Sequence, residues 1–355
     1  MVMMSTEKMI ACCNEWRPVL AMLAVDAALA VINIMVKKVM EEGMNRLVLI
    51  TLRQFAATLF MVPIAYFNER KTRPKLTAEI CIYLFFSALL GAALMQCLFF
   101  LGLEYTSATF ASAFLNITPV FTFLISLALR MESLNLKTKA GIAKALGTLL
   151  CLIGVIVLAL YKGVALNKNT SHTSVNHVIN HTSKRWLMGS IALFGGCLCW
   201  SAWFPVQSKL GKKYPALYSC TALMFLLSFF QSAAMSLVTQ RGLSMWLLHK
   251  RLEIATVIFA GTVGSGLGFL AMSWCVVQRG PVFTAAFTPL IEVMVAGIDF
   301  LVLHEQIYIG SVLGSILVIA GLYSLLWGKS KEAQGCVEKP EEINRENNQV
   351  QTQTV

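Results

Sequence analysis

The chain has 355 residues, 57% of them hydrophobic and only 13% charged, with a formal net charge of +11. That composition excludes an ordinary soluble domain and points to a polytopic membrane protein. In such a protein, excess Lys and Arg serves loops and acidic headgroups, and no basic, aromatic stripe outside the apolar runs offers a surface to nucleic acid.

The first apolar run is followed by no small-residue cleavage site, so it reads as a retained anchor. Cys12 and Cys13 stand just before it, where reversible palmitoylation occurs. Windows of roughly 20 mostly apolar residues, the length that crosses a bilayer, fall at about 18–36, 47–67, 79–102, 107–129, 140–161, 187–206, 216–237, 253–274, 280–302 and 307–327. The expectation is an all-α integral membrane protein with ten transmembrane helices. The stretches Glu104 to Thr106 and His304 to Gln306 demand tight hairpins. Residues 1–17 form a cytoplasmic N-terminus, 18–163 a first group of five spans, 164–186 a non-cytoplasmic loop, 187–328 a second group of five, and 329–355 a polar, disordered cytoplasmic tail.

Orientation follows from loop charge. With both termini in the cytoplasm, the cytoplasmic loops hold the larger share of Lys and Arg. The loop at 162–186 then faces outward, and its two glycosylation sequons, at Asn169 and Asn180, agree with that side. His172, His177 and His181 in the same loop read as solvated side chains rather than a metal site.

The two groups of spans resemble one another. TFASAF (Thr109 to Phe114) answers VFTAAF (Val282 to Phe287), Glu132 then meets Glu305, and GTLLCLIG (Gly147 to Gly154) answers GSILVIAG (Gly314 to Gly321). Several matches in one order argue for an internal repeat. Five spans is an odd number, so the second copy enters the membrane inverted, the plan of many secondary transporters.

Polar residues inside spans are costly and face a cavity or one another. Asp26, Arg53, Gln54, Gln96, Asn116, Trp200, Trp203, Gln207 and Glu292 are such residues, with Ser273 and Trp274 at the end of span 8. Lys144, near the cytoplasmic end of span 5, reads as a snorkelling lysine. Pro119 and Pro289 are structural; Pro289 removes a backbone hydrogen bond one turn before Glu292 and bends its helix. Glu292 binds a substrate amine or carries a proton, or it pairs with Arg53 and locks two helices. Asp299, two turns further on, reads as a rim residue. GTVGSGLG (Gly261 to Gly268) lies in an apolar run with no strand before it, so its small residues serve helix packing rather than a nucleotide.

The stretches VPIAYFNERKTRPKLT (Val62 to Thr77), LGLEYTSATFASAFLNITPVFTF (Leu101 to Phe123), KALGTLLCLIGVIVLALYKG (Lys144 to Gly163), WSAWFPVQ (Trp200 to Gln207), RGPVF (Arg279 to Phe283) and GSVLGSILVIAGLYSLLWGKSKE (Gly310 to Glu332), with Arg53 before them, carry a family likeness. The chain resembles the plant branch of the drug/metabolite transporter superfamily, the EamA-type, nodulin-like proteins that include the walls-are-thin auxin transporter and the UMAMIT amino-acid exporters. The resemblance implies two inverted five-helix EamA repeats and export of small organic solutes, amino acids or auxin-like carboxylic acids, across the plasma or vacuolar membrane. It implies no enzyme activity, cofactor or metal. Substrate-binding or coupling candidates are Asp26, Arg53, Gln96, Asn116, Trp200 and Glu292, with Arg53 suited to a substrate carboxylate. The alternatives are a nucleotide-sugar or other metabolite carrier of the same superfamily, and a non-transporting membrane scaffold.

Overall fold

The structure, a computed structural model, describes residues 2–106, 111, 114–132, 137–160, 183–239, 246, 248, 250–302, 309, 310, 313, 314, 316, 317, 319–328, 330 and 331. Asn169, Asn180 and Glu305 lie outside the described residues, as do the side chains of Cys12, Cys13, Glu292 and Asp299.

Among the described residues the regular elements are helices. They are α1 (Val2–Glu41), α2 (Arg46–Glu69), α3 (Ala78–Tyr105), α4 (Thr118–Ala128), α5 (Lys139–Leu160), α6 (Ser183–Lys213), α7 (Leu217–Thr239), α8 (Arg251–Arg279), α9 (Pro281–Ala285), α10 (Thr288–Val302) and α11 (Ile319–Gly328). Six of them, α1, α2, α3, α6, α7 and α8, contain stretches long and apolar enough to cross a membrane, with shorter apolar helices beside them. The first runs back to Val2, well before its apolar stretch, and α6 runs on to Lys213, beyond Gln207.

Local chemistry fixes the ends. The Asn45 side chain accepts from the backbone N–H of Leu47 (3.0 Å) and Val48, capping α2. Thr77 caps α3 in the same way through Ile80 N–H. Gly43 and Gly280 take positive φ, 98° and 88°, where a Cβ is disfavoured; Gly280 makes the sharp turn from α8 into Pro281.

Two long helices are interrupted in the middle. In α3 the residues Leu89–Ala93 form a π turn, and in α8 the residues Ala260–Gly268 form a longer π segment. Each is the third long helix of its half of the chain, after α1 and α2 and after α6 and α7. The fourth helices are interrupted as well. A turn at Ile117 precedes Thr118 and Pro119, and a turn at Ala286 and Phe287 precedes Thr288 and Pro289. This corrects the expectation for Pro289. It does not bend a continuous helix; it occupies the first turn of a new one, where its missing N–H removes no intrahelical bond.

Helix pairings follow the same correspondence. Helix α2 packs on α7; α1 packs on α8 as α6 packs on α3; α1 packs on α10 as α6 packs on α4. Each pairing maps onto another, or onto itself, when the helices of one group are exchanged for those of the other. Ion pairs and caps tie the groups at both ends. Glu69 at the end of α2 accepts from the N–H groups of Tyr218 (3.1 Å) and Ser219 (2.7 Å) at the start of α7, and Lys213 bonds Glu79. At the opposite end Lys250 pairs with Glu42 at 2.9 Å.

Helices α5 and α11 cross through glycine. A Cβ on Gly321 would lie 2.6 Å from the Cys151 nitrogen, and one on Gly147 would lie 2.7 Å from the Gly321 oxygen. Backbone on both sides leaves no side chain to yield. Gly321→Val is therefore expected to force the helices apart and cost about 1–3 kcal/mol. Gly297, with nothing within 4 Å of its added Cβ, is the control: Gly297→Ala leaves the unfolding midpoint of the detergent-solubilised protein unchanged or higher. Equal loss in the two variants would deny the close crossing.

Lys144 corrects a second expectation. It does not snorkel. Its side chain is buried, and Nζ lies 3.9 Å from a carboxylate oxygen of Glu132, whose side chain is 9% exposed. With a counter-charge so close, the ammonium is answered inside the protein instead of reaching for the interface.

Candidate functional site

The π segments converge on α2. Arg53 and Gln54 are consecutive, so they point about 100° apart around the helix. The Arg53 Nε donates to Ser265 Oγ at 2.8 Å, inside the α8 π segment. The Gln54 side-chain amide donates to the Ala92 carbonyl at 3.4 Å, inside the α3 π turn. One dipeptide therefore bridges the two interruptions. Such interruptions recur at functional sites because they free backbone groups and open the local wall.

Glycine allows this approach. A Cβ on Gly261 would lie 2.8 Å from the Arg53 carbonyl, and one on Gly264 would lie 3.3 Å from an Arg53 guanidinium nitrogen and 2.7 Å from Ile32 of α1. The small residues of Gly261 to Gly268 thus do pack helices, as their sequence suggests, and they also seat a cation.

Arg53 is half-buried, and among the described residues it has no carboxylate within ion-pair distance. The alternative of a locking pair with Glu292 falls on a side chain outside the described residues. Asp26 is 1% exposed, and its Oδ2 has no hydrogen-bond partner. It lies on the stretch of α1 whose Val25 meets Gly268 and whose Leu29 meets Gly264. Asp26 thus sits on the part of α1 that flanks this π segment, and Arg53 reaches the segment itself from α2.

Gln54 Oε1, Gln96 Oε1 and Asn116 Oδ1 are among the other buried polar atoms that lack partners, as are Gln231 Oε1 and several hydroxyls. A buried acceptor without a bond is costly, about 1–3 kcal/mol, and such groups mark places where water or a solute completes the bonding.

Trp200 stacks on Trp203 with ring centroids 5.2 Å apart and planes 3° from parallel, and Phe269 meets both edge-on. Trp203 is fully buried. Its Nε1–H donates to Ser87 Oγ (3.1 Å), the Ser87 hydroxyl donates to Gln207 Oε1 (2.9 Å), and Gln207 Nε2 donates to Ser273 Oγ (3.0 Å). This chain joins α3, α6 and α8. The indole fits because Gly91, in the π turn, presents no side chain: a Cβ there would lie 2.4 Å from Trp203 Cδ1. The structure thus ties Trp203 and Gln207 into a satisfied scaffold, while Trp200 remains half-buried on its edge.

Sequence reasoning missed Ser87, Gly91 and Ser265. Small polar residues are common in apolar runs, and nothing in their spacing marks these three; only the clustering of glycine in the α8 segment hints at an unusual helix.

The EamA-like transporter family profile matches residues 16–160 and again 187–327. A WAT1-related protein of Arabidopsis thaliana is 46% identical over 337 residues, spanning 93% of this chain and 92% of its own. A second from that organism is 45% identical over 323 residues, with 90% and 88% covered. Protein WALLS ARE THIN 1, also of Arabidopsis thaliana, is 36% identical over 323 residues, with 88% and 83% covered. A crystal structure at 14% identity superposes with a TM-score of 0.64 over 86% of this chain and 97% of its own, a likeness of fold.

Proposed function

Because the chain belongs to the EamA-like transporter family, in its plant WAT1-related branch, we propose that it exports small organic acids, amino acids or auxin-like carboxylic acids, by alternating access between two inverted five-helix repeats. The family is one of membrane transporters. The observation that carries the substrate class is Arg53: a half-buried guanidinium at a π segment, held by a serine hydroxyl, with no carboxylate partner among the described residues. A substrate carboxylate completes it with a charge-assisted bond.

Asp26 and Glu292 are the acidic partners for a substrate amine or a coupling proton. Gln96 and Asn116 offer acceptors to a polar solute, and the face of Trp200 offers an aromatic wall. Rocking of the two groups about the α2–α7 contact exposes the site to alternate sides. The plasma and vacuolar membranes are the settings in which such export serves a plant cell. A nucleotide-sugar carrier needs several cations in its cavity. Of the two cations the sequence places within spans, Lys144 is already paired with Glu132, which disfavours that alternative.

The test is efflux from proteoliposomes loaded with labelled amino acids or indole-3-acetate, with and without a pH gradient, for wild type and Glu292→Gln. Specific flux that responds to the gradient in wild type and loses that response in the variant supports acid export with Glu292 as the coupling group. Flux identical in the two removes Glu292 from the mechanism. No flux of any acid defeats the export reading and turns attention to other solutes or to a scaffold role.

A further inference from the structure

We propose that the furrow between α5 and α11 binds one anionic phospholipid. Its volume is about 360 Å³, and its walls are Ile142 and Leu146 on α5 and Tyr323 and Trp327 on α11. All four side chains are exposed, at 45%, 51%, 71% and 41%. Residues four apart on a helix stand one above the other, so each wall is a row running along its helix. The glycine crossing at Gly147 and Gly321 holds the two rows side by side, and Gly328 lies against the Ala140 carbonyl at the far end. Two short apolar rows beside the glycine crossing make a shallow furrow against which part of an acyl chain lies.

One end of the furrow is charged. Lys139, exposed, is the first residue of α5 and belongs to the same lining. No acidic residue stands in the first turn of α5, so the lysine and the helix N-terminus add their positive fields there. Trp327, next to Gly328, flanks that end, and such a ring favours headgroup depth. The furrow lies on predicted membrane spans, so its occupant comes from the bilayer, and the lysine selects a negative headgroup. A second copy of the chain is a poorer occupant: neither α5 nor α11 carries an Asp or Glu to answer Lys139 across a symmetric contact.

The full chain, reconstituted in phosphatidylcholine vesicles, tests this with acyl-brominated phosphatidylglycerol against acyl-brominated phosphatidylcholine. The Trp327 signal is the fluorescence lost in Trp327→Phe. Phosphatidylglycerol is expected to quench that signal at about fivefold lower mole fraction, the preference that one lysine near a headgroup supplies. Lys139→Gln erases the preference and Lys139→Arg retains it. Equal quenching by the two lipids in wild type, or a preference that survives Lys139→Gln, overturns the proposal. So does a Trp327 signal shielded from both lipids, which assigns the furrow to another copy of the chain.

Discussion

Arg53→Gln is expected to lower efflux of carboxylate-bearing solutes by about 10- to 100-fold while the protein still folds and inserts. A hydrogen bond to a charged group contributes about 1.5–3 kcal/mol, and each 1.4 kcal/mol is a factor of ten. Glutamine keeps a donor for Ser265 Oγ, 2.8 Å from the native Nε, so the contact between α2 and α8 is spared. Arg53→Lys restores the charge but not the planar fork, and recovers only part of the flux. Equal flux in wild type and Arg53→Gln, measured on reconstituted protein of matched folding, would remove Arg53 from substrate recognition.

The second large effect concerns stability. Lys144→Met takes the ammonium from beside the largely enclosed Glu132 side chain and is expected to cost about 1–3 kcal/mol. The double variant Lys144→Met, Glu132→Leu removes both charges and is expected to recover most of that loss. Denaturant unfolding in detergent micelles checks both. If the double variant is as unstable as the single, the 3.9 Å pair is not what holds this corner together.

The likeness of the two halves was legible because it is written in short, ordered matches such as Thr109 to Phe114 against Val282 to Phe287. The helices were legible because lipid demands long apolar runs. The π interruptions were not, since the register change at Leu89 and at Ala260 follows from what packs against each helix: an indole over Gly91, a guanidinium beside Gly264. Lys144 was misread for a related reason. Depth along a span says where a lysine starts, whereas its partner, Glu132, comes from the turn after α4. Pro289 was misread because a proline within an apolar run looks the same whether the helix bends at it or begins anew beside it. Arg53 and Asp26 stood out from the start, because charge inside a span is rare. Where each of them lands depended on how α1 and α2 dock on α8.

The exchange of partners between the two groups of helices also sets a problem for biosynthesis. Helices α1, α2 and α3 leave the ribosome before α8, α7 and α6 exist, yet those are the helices they pack against. Asp26, Arg53 and Ser87 therefore enter the lipid without the surfaces that later enclose them. The nascent first half must be sheltered, or must wait loosely assembled, until roughly the last third of the chain arrives. Severing the chain between α5 and α6 keeps every one of these pairings available in trans, so two co-translated fragments hold the same information for assembly as the intact polypeptide.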